Sequence, residues 1–351
     1  MKHFETYFLE QLQIHPSMEP RDVVKLCYQA AFGAEHLLQD MERAKKYLLE
    51  EFQAVEARDI PLYEPVSSDI CRVNLSAWKF RGLPAEWLFG LFAASPFGGE
   101  NGKSAFQEYL QAAGKIVKTE AVWFSAEEWE GYLAEYEKNG LSPVHHSQQY
   151  REKELPAYRV VSRKYMRLIP ILERVAEKLQ GKEPVVIAID GRAASGKTTM
   201  AQQLKEIFDA DVVQMDDFFL PLELRTAERL ATPGGNVHHE RFAEEVLPFL
   251  SSEEAFSYRI FDCSQMDFGG RRSIGGGKIR IVEGSYSCHP VFGKYADVTV
   301  FSHVDEVEQL SRIRKRNGEK MAEMFRDRWI PLEEAYFQAY QIAEQADIRL
   351  E

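Results

Sequence analysis

Long apolar runs are missing from this chain: nowhere in its 351 residues do about 18 uncharged apolar residues follow one another. A membrane-spanning helix is therefore not expected. The opening "MKHFETYFLEQLQ" lacks the basic-then-apolar layout of a secretory signal, so a cytoplasmic protein is expected. Cysteine is scarce as well. Cys27, Cys71, Cys263 and Cys288 lie far apart and form no C-x-x-C pair, which speaks against a disulfide framework and a thiolate zinc site. Neither H-x-x-x-H nor H-E-x-x-H occurs, and there is no internal repeat or low-complexity tract. Basic charge is in deficit: 43 Lys and Arg stand against 55 Asp and Glu, a formal net charge of -12. Such a chain repels phosphate backbones and anionic membranes, so neither nucleic acid nor membrane is expected as a partner. A small anionic ligand needs only a local positive pocket and stays compatible with this balance.

The length predicts about two domains. Residues 1–160 read as a mainly helical domain. In "SAEEWEGYLAEYEKNG", Ser125 and Glu128 form a capping box, Trp129, Tyr132, Leu133 and Tyr136 mark one helix face, and Asn139-Gly140 supplies the stop. "EPRDVVKLCYQAAF" and "FQEYLQAAGKIV" have similar spacing, while "RDIPLYEP" and "ASPFGGENGKS" read as loops. A connecting helix is expected over 161–182, closed by Gly181 and Pro184. From 183 to 351 short apolar runs alternate with helical patterns. The predicted strands are 185–190, 211–215, 278–284, 297–302 and 347–350, an arrangement that implies a parallel sheet covered by helices on both faces.

Directly after the first of these strands comes "GRAASGKTTM". Gly191-x-x-x-x-Gly196-Lys197-Thr198 fits the phosphate-loop pattern G-x-x-x-x-G-K-[ST]. The glycines let the backbone curl so that successive N–H groups of Ala194, Ser195, Gly196 and Thr199 can face phosphate, and the following helix adds its positive end. Lys197 is expected at the β- and γ-phosphates, and the Thr198 hydroxyl on Mg²⁺. The nucleotide is ATP or GTP. The second strand runs into "VVQMDDFFLP", which puts Asp216 and Asp217 at a strand's C-terminal end. One carboxylate can take a proton from an acceptor hydroxyl while the other orients water or metal; a helix N-cap pair is the plainer reading. "IRIVEGSYS" supplies Glu283, suited to Mg²⁺-bound water. "LSRIRKRNG" places Arg312, Arg314 and Arg316 near a helix end; a solvated basic face is the usual meaning, but beside a triphosphate such arginines can close over the transferring group.

Together "GRAASGKTT", "MDDFF", "GGNVHHERF", "SYRIFD", "IVEGSYS" and "RIRKRNG" give residues 183–351 a resemblance to the phosphoribulokinase/uridine kinase family of P-loop kinases. The resemblance implies a P-loop kinase fold and Mg-ATP-dependent transfer of phosphate to a hydroxyl of a small molecule, such as a nucleoside or sugar derivative. It implies that Asp216 is the catalytic base, with Asp217 in a supporting, metal-side role, and that the arginines of "RIRKRNG" form a lid. The sequence departs from uridine kinases in three places, one of them a short lid. His238 and His239 stand where an acidic residue holds the ribose, and "YRIFDCSQ" lacks the histidine of the base-reading segment. His238, Tyr258 and Asp262 are the expected acceptor contacts.

The most chemically dense piece of the first domain is "LSPVHHSQQYREKELPAYRVV", with His145, His146, Ser147, Tyr150, Arg151, Tyr158 and Arg159. With Glu35, His36, Arg72 and Asn74 these could line a polar pocket for a phosphorylated ligand; a loop pinned by its own polar residues is the alternative. This half is similar to an uncharacterised bacterial helical domain. Three readings of the whole stand side by side: a kinase with a ligand-sensing or ligand-supplying helical module, a nucleotide-dependent switch, and a bifunctional enzyme. Homo-oligomerisation is left open.

Overall fold

The computed structural model describes residues 4–95, 102–120, 122–181 and 184–351. The chain divides into two compact units, one ending at Arg167 and the other starting at Leu168. The boundary expected at 160 thus falls inside a strand, and the helix read as a connector belongs to the second unit. Pairing with β2 carries the strand "YRVVS" past residue 160, and helix begins only at Ile169, after a 3-10 turn over Arg163–Leu168, with Pro170 in its first turn. The loop "ASPFGGENGKS" and the connector's end at Lys182 and Glu183 lie partly outside the described residues.

The first unit is mainly helical, as expected, with a small sheet added. Helices α1 (Phe4–Ile14), α2 (Pro20–Phe32) and α3 (Met41–Ala54) lead into β1 (Tyr63–Pro65) and β2 (Ile70–Asn74). Then come α4 (Leu75–Phe80), α5 (Ala85–Ala93), α6 (Gly102–Thr119), α7 (Ala126–Lys138), α8 (Gln148–Glu154) and β3 (Tyr158–Ser162). The strands form an antiparallel sheet in the order β1-β2-β3. α7 starts on the Ser125/Glu128 capping box and ends at Asn139. α2 sinks Val23, Val24, Leu26 and Cys27 completely and packs on α6, which buries Phe106, Leu110 and Ala113. Each such large side chain contributes about 2 kcal/mol on leaving water.

The second unit is α/β. After α9 (Ile169–Leu179) come β4 (Val185–Gly191), α10 (Lys197–Phe208) and β5 (Val212–Gln214). Three short helices follow, α11 (Ala227–Ala231), α12 (His239–Glu245) and α13 (Leu247–Leu250), then the hairpin β6 (Phe256–Asp262) and β7 (Asp267–Ile274). β8 (Ile279–Glu283) and β9 (Val298–Ser302) lead to α14 (Glu306–Asn317), α15 (Glu319–Met324), a π-helical turn at Phe325–Trp329, α16 (Ile330–Tyr340), α17 (Ile342–Gln345) and β10 (Ile348–Leu350). The five main strands pair in parallel in the order β10-β9-β4-β8-β5. β4 is buried along its whole length, as a central strand covered on both faces must be.

Parallel pairing brings the C-terminal ends of β4, β5, β8 and β9 to one edge of the sheet. Gly191, the turn after Gln214, Glu283 and Ser302 therefore meet there, where open α/β sheets leave a crevice.

Candidate functional site

The glycine-rich loop leaves β4 through Gly191, whose φ of 136° belongs to glycine, and where a Cβ would stand 2.1 Å from the Ser302 carbonyl oxygen. Gly196, at φ 100°, turns the chain into α10. The first helical bond runs from Met200 N–H to Gly196 O, so the amides just before it have no partner inside the helix. The outer side of the loop is tied down. Glu333 Oε2 accepts from Ala193 N–H at 2.9 Å, Gln309 Nε2 donates to Ala193 O at 3.0 Å, and Arg192 pairs with Glu334 at 2.8 Å. Lys197 Nζ donates to the carbonyls of Gly191 at 2.7 Å and Arg192 at 2.9 Å, so it lies along the loop it is expected to serve.

Above the loop is a cavity of about 640 Å³. Ala194, Gly196, Lys197, Thr198, Thr199, Asp216, Glu283, Arg312 and Arg316 all line it; Ser195, buried within the same loop, does not. Asp216 is open to the cavity, with protein on its other sides. That surrounding burial raises its pKa; Lys197 opposes the rise and Asp217 adds to it. Glu283 Oε1 accepts from the Thr198 hydroxyl at 3.1 Å, while its Oε2 is buried without a hydrogen-bond partner among the described residues. Burial lifts this carboxyl too, against Lys197. A carboxylate oxygen left over beside a threonine hydroxyl fits a Mg²⁺ ion that takes its remaining ligands from phosphate and water.

Several expected residues are placed elsewhere. Asp217 lies outside the cavity lining and faces the hairpin: Arg272 donates to it through Nε at 2.7 Å and Nη2 at 3.3 Å, and the Tyr258 hydroxyl at 3.0 Å. Its position therefore argues for a tie to β6 and β7 and against the metal-side role. The two aspartates sit in a 3-10 turn, Met215–Phe218, where adjacent side chains diverge by about 120°. Arg314 also turns away and pairs with Glu319 at 2.6 Å, because on a helix residues 312 and 316 share a face that 314 does not. None of the three expected acceptor contacts lines the cavity. Tyr258 is fully buried on Asp217. Asp262 closes the hairpin turn by accepting from Ser264 N–H and Oγ. His238 lies half-buried at the start of α12.

In their place the cavity is lined by Phe219, Arg225, Asn236, Cys263, Met266 and Tyr286, and by Met321, Arg328 and Trp329. Glu333 also reaches it. This buried carboxylate bridges Ala193 N–H and the Ser285 hydroxyl, which donates at 2.6 Å, and burial raises its pKa. Its sequence context, "IPLEEAYFQ", carries no signal of that role.

No family model and no curated protein matches this chain. Among solved structures, a protein from Bacillus stearothermophilus described as a possible uridine kinase is 16% identical, aligns over 52% of this chain and 100% of its own, and has a TM-score of 0.39. A protein from Silicibacter sp. TM1040, provisionally described as a fructose transport system kinase, is 20% identical over 52% of this chain and 95% of its own, with a TM-score of 0.42. Likenesses of this degree carry no argument about activity.

In the first unit the polar residues separate into two groups. His146 and Tyr158 converge: the imidazole meets Asp22 Oδ1 at 2.7 Å through Nδ1 and the Tyr158 hydroxyl at 2.6 Å through Nε2. Burial pushes the His146 pKa down to about 4, so it is neutral at pH 7, although Asp22 pulls the other way. Beside them lies Arg72, 1% exposed, over the Tyr158 ring. It donates to Gln29 Oε1 at 2.8 and 2.9 Å and to Gln11 Oε1 at 3.0 Å. His145, Arg151 and Glu35 are exposed, Asn74 caps α4, and Arg159 lies on the opposite face of β3, paired with Glu51 at 2.6 Å. The converging groups satisfy one another, which is the pinning alternative.

A buried guanidinium held by two neutral amides makes a stability prediction. Arg72→Met is expected to cost about 3 kcal/mol, because the Gln11 and Gln29 oxygens lose their donor. Urea unfolding followed by tryptophan fluorescence measures this, since four of the five tryptophans (78, 87, 123 and 129) are in this unit. Adding Gln11→Leu and Gln29→Leu should return most of the loss.

Proposed function

We propose that the second unit transfers the γ-phosphate of ATP or GTP to a hydroxyl group of a small molecule. The observation that carries this reading is one cavity holding Asp216, Lys197, Thr198, Arg312 and Arg316 together. In the proposed reaction Asp216 accepts the proton of the acceptor hydroxyl. That oxygen forms a bond to the γ-phosphorus, and the bond from phosphorus to the β–γ bridging oxygen breaks, its electron pair leaving with the nucleoside diphosphate. Lys197 leaves the Gly191 and Arg192 carbonyls for the β- and γ-phosphates. Arg312, which donates to the Ala194 carbonyl at 3.2 Å, and Arg316 stand on the cavity side of α14 to meet the charge on the moving group. Thr198 and Glu283 would hold Mg²⁺, which when bound neutralises phosphate charge. A nucleotide switch would have no use for a carboxylate of raised pKa on the acceptor side of the loop.

Phosphate release or transfer from γ-labelled ATP tests the reading. Lys197→Ala and Thr198→Ala are each expected to lower turnover at least about a hundredfold, by different routes. The lysine variant should stay inactive at every Mg²⁺ concentration. The threonine variant should recover part of its rate as Mg²⁺ is raised. Normal Mg-ATP turnover in Lys197→Ala would sink the assignment.

A further inference from the structure

Arg225 has what a substrate-binding arginine needs and a structural one lacks. It lines the cavity, half-buried, on the segment that follows the Asp216 turn. Its Nε donates to the Leu220 carbonyl at 2.8 Å, and its Nη2 lies 3.9 Å from the Met266 sulfur, a weak partner for a cation. Arg229, Arg259 and Arg272 of this unit pair with Glu240, Glu245 and Asp217, while Arg241 and Arg271, which do not line the cavity, donate to carbonyl and hydroxyl oxygens of the fold. Among the described residues no carboxylate pairs with Arg225. Phe219, Leu230 and Met266 add apolar surface to the same cavity lining. A guanidinium fork facing a cavity in such surroundings gains most from an anion of planar or tetrahedral oxygens.

Arg225 lines the same cavity as Asp216 and Cys263, and so do Arg312 and Arg316 of α14.

We propose that Arg225 is a specificity-determining residue, and that the acceptor is an anionic hydroxyl compound, a carboxylate or a phosphate ester with an apolar portion, whose anion binds Arg225 while its hydroxyl meets Asp216. This rests on the phosphotransfer reading above. It replaces the acceptor contacts expected of His238, Tyr258 and Asp262.

The test uses the full chain, γ-labelled ATP and a water-soluble small-molecule extract, with labelled products identified by mass. The expected product is the phosphate ester of an acid. For that acid Arg225→Gln should raise KM about ten- to a hundredfold and leave kcat and Mg-ATP affinity unchanged, while Arg225→Lys keeps part of the affinity. Converting the acid to its amide or removing its phosphate should cost the wild type as much and the Arg225→Gln variant nothing further. A labelled product of a neutral parent, an unchanged KM, or lost Mg-ATP affinity in Arg225→Gln overturns this inference and leaves the kinase reading standing. No labelled product from any preparation overturns the kinase reading, and this inference with it.

Discussion

Asp216→Asn is expected to bind Mg-ATP normally and to lose acceptor phosphorylation by at least about a hundredfold, the usual scale for a general base. Its neighbour behaves in the opposite way. Asp217→Ala is expected to destabilise the second unit by about 2 kcal/mol, because the buried carboxylate leaves Arg272, which is partly solvated, and the Tyr258 hydroxyl without their partner. Turnover per folded molecule should fall far less than in Asp216→Asn. A pH profile adds a second check. Only ionised Asp216 can accept a proton, and burial raises its pKa, so kcat/KM should fall with decreasing pH through a midpoint above the ordinary aspartate value of about 3.9. Thermal melting beside steady-state rates for both variants separates the roles, and the reverse ranking would exchange them.

Glu283→Gln is expected to abolish Mg²⁺-dependent turnover and yet to stabilise the ligand-free protein. Burial raises the Glu283 pKa, so the folded state binds this proton more tightly than the unfolded chain. The stability tied to the protonated form is complete at low pH and is lost as pH rises through the raised value. Above that raised value the wild type holds a buried charge with one oxygen unpartnered, which costs more than a neutral amide in the same place. A gain of about 1 kcal/mol, or about 2–4 °C in Tm, is expected there, with the gap closing in acid. Excess Mg-ATP should raise the wild-type Tm and not that of the variant. A variant that melts below the wild type above that value, without nucleotide, would contradict the argument.

What could be read from the sequence follows physical lines. "VVIAID", "KIRIVEG" and "DVTVFS" are apolar, β-branched runs bounded by turn residues, and the sheet is built from them. β7, "DFGGRRSI", is almost wholly exposed and β1, "YEP", has three residues, so neither left an alternation to detect. The glycine-rich loop was legible because its backbone demands are local, Gly191 above all. Direction was not: whether Asp216 or Asp217 faces the cavity depends on a 3-10 turn, and the exclusion of Arg314 on helical phase. Of the residues expected to contact the acceptor, Tyr258 bonds Asp217 and Asp262 closes the hairpin turn, while His238 stands at the start of α12 outside the cavity lining. Arg225 and Glu333 reach the cavity from segments whose sequence looks like ordinary surface.

The grip of α14 and α16 on the loop has a consequence for the entropy of ligand capture. Glu333 holds Ala193, Glu334 holds Arg192, and Gln309 holds the Ala193 carbonyl. The order that a mobile loop would have to acquire on meeting its ligand is thus acquired when the chain folds, and the free energy of association is not spent on it. In the loop itself the Lys197 ammonium has to exchange its carbonyl partners for phosphate. The dissociation constant for a triphosphate should then track the electrostatics of that one side chain more closely than the flexibility of the loop that carries it.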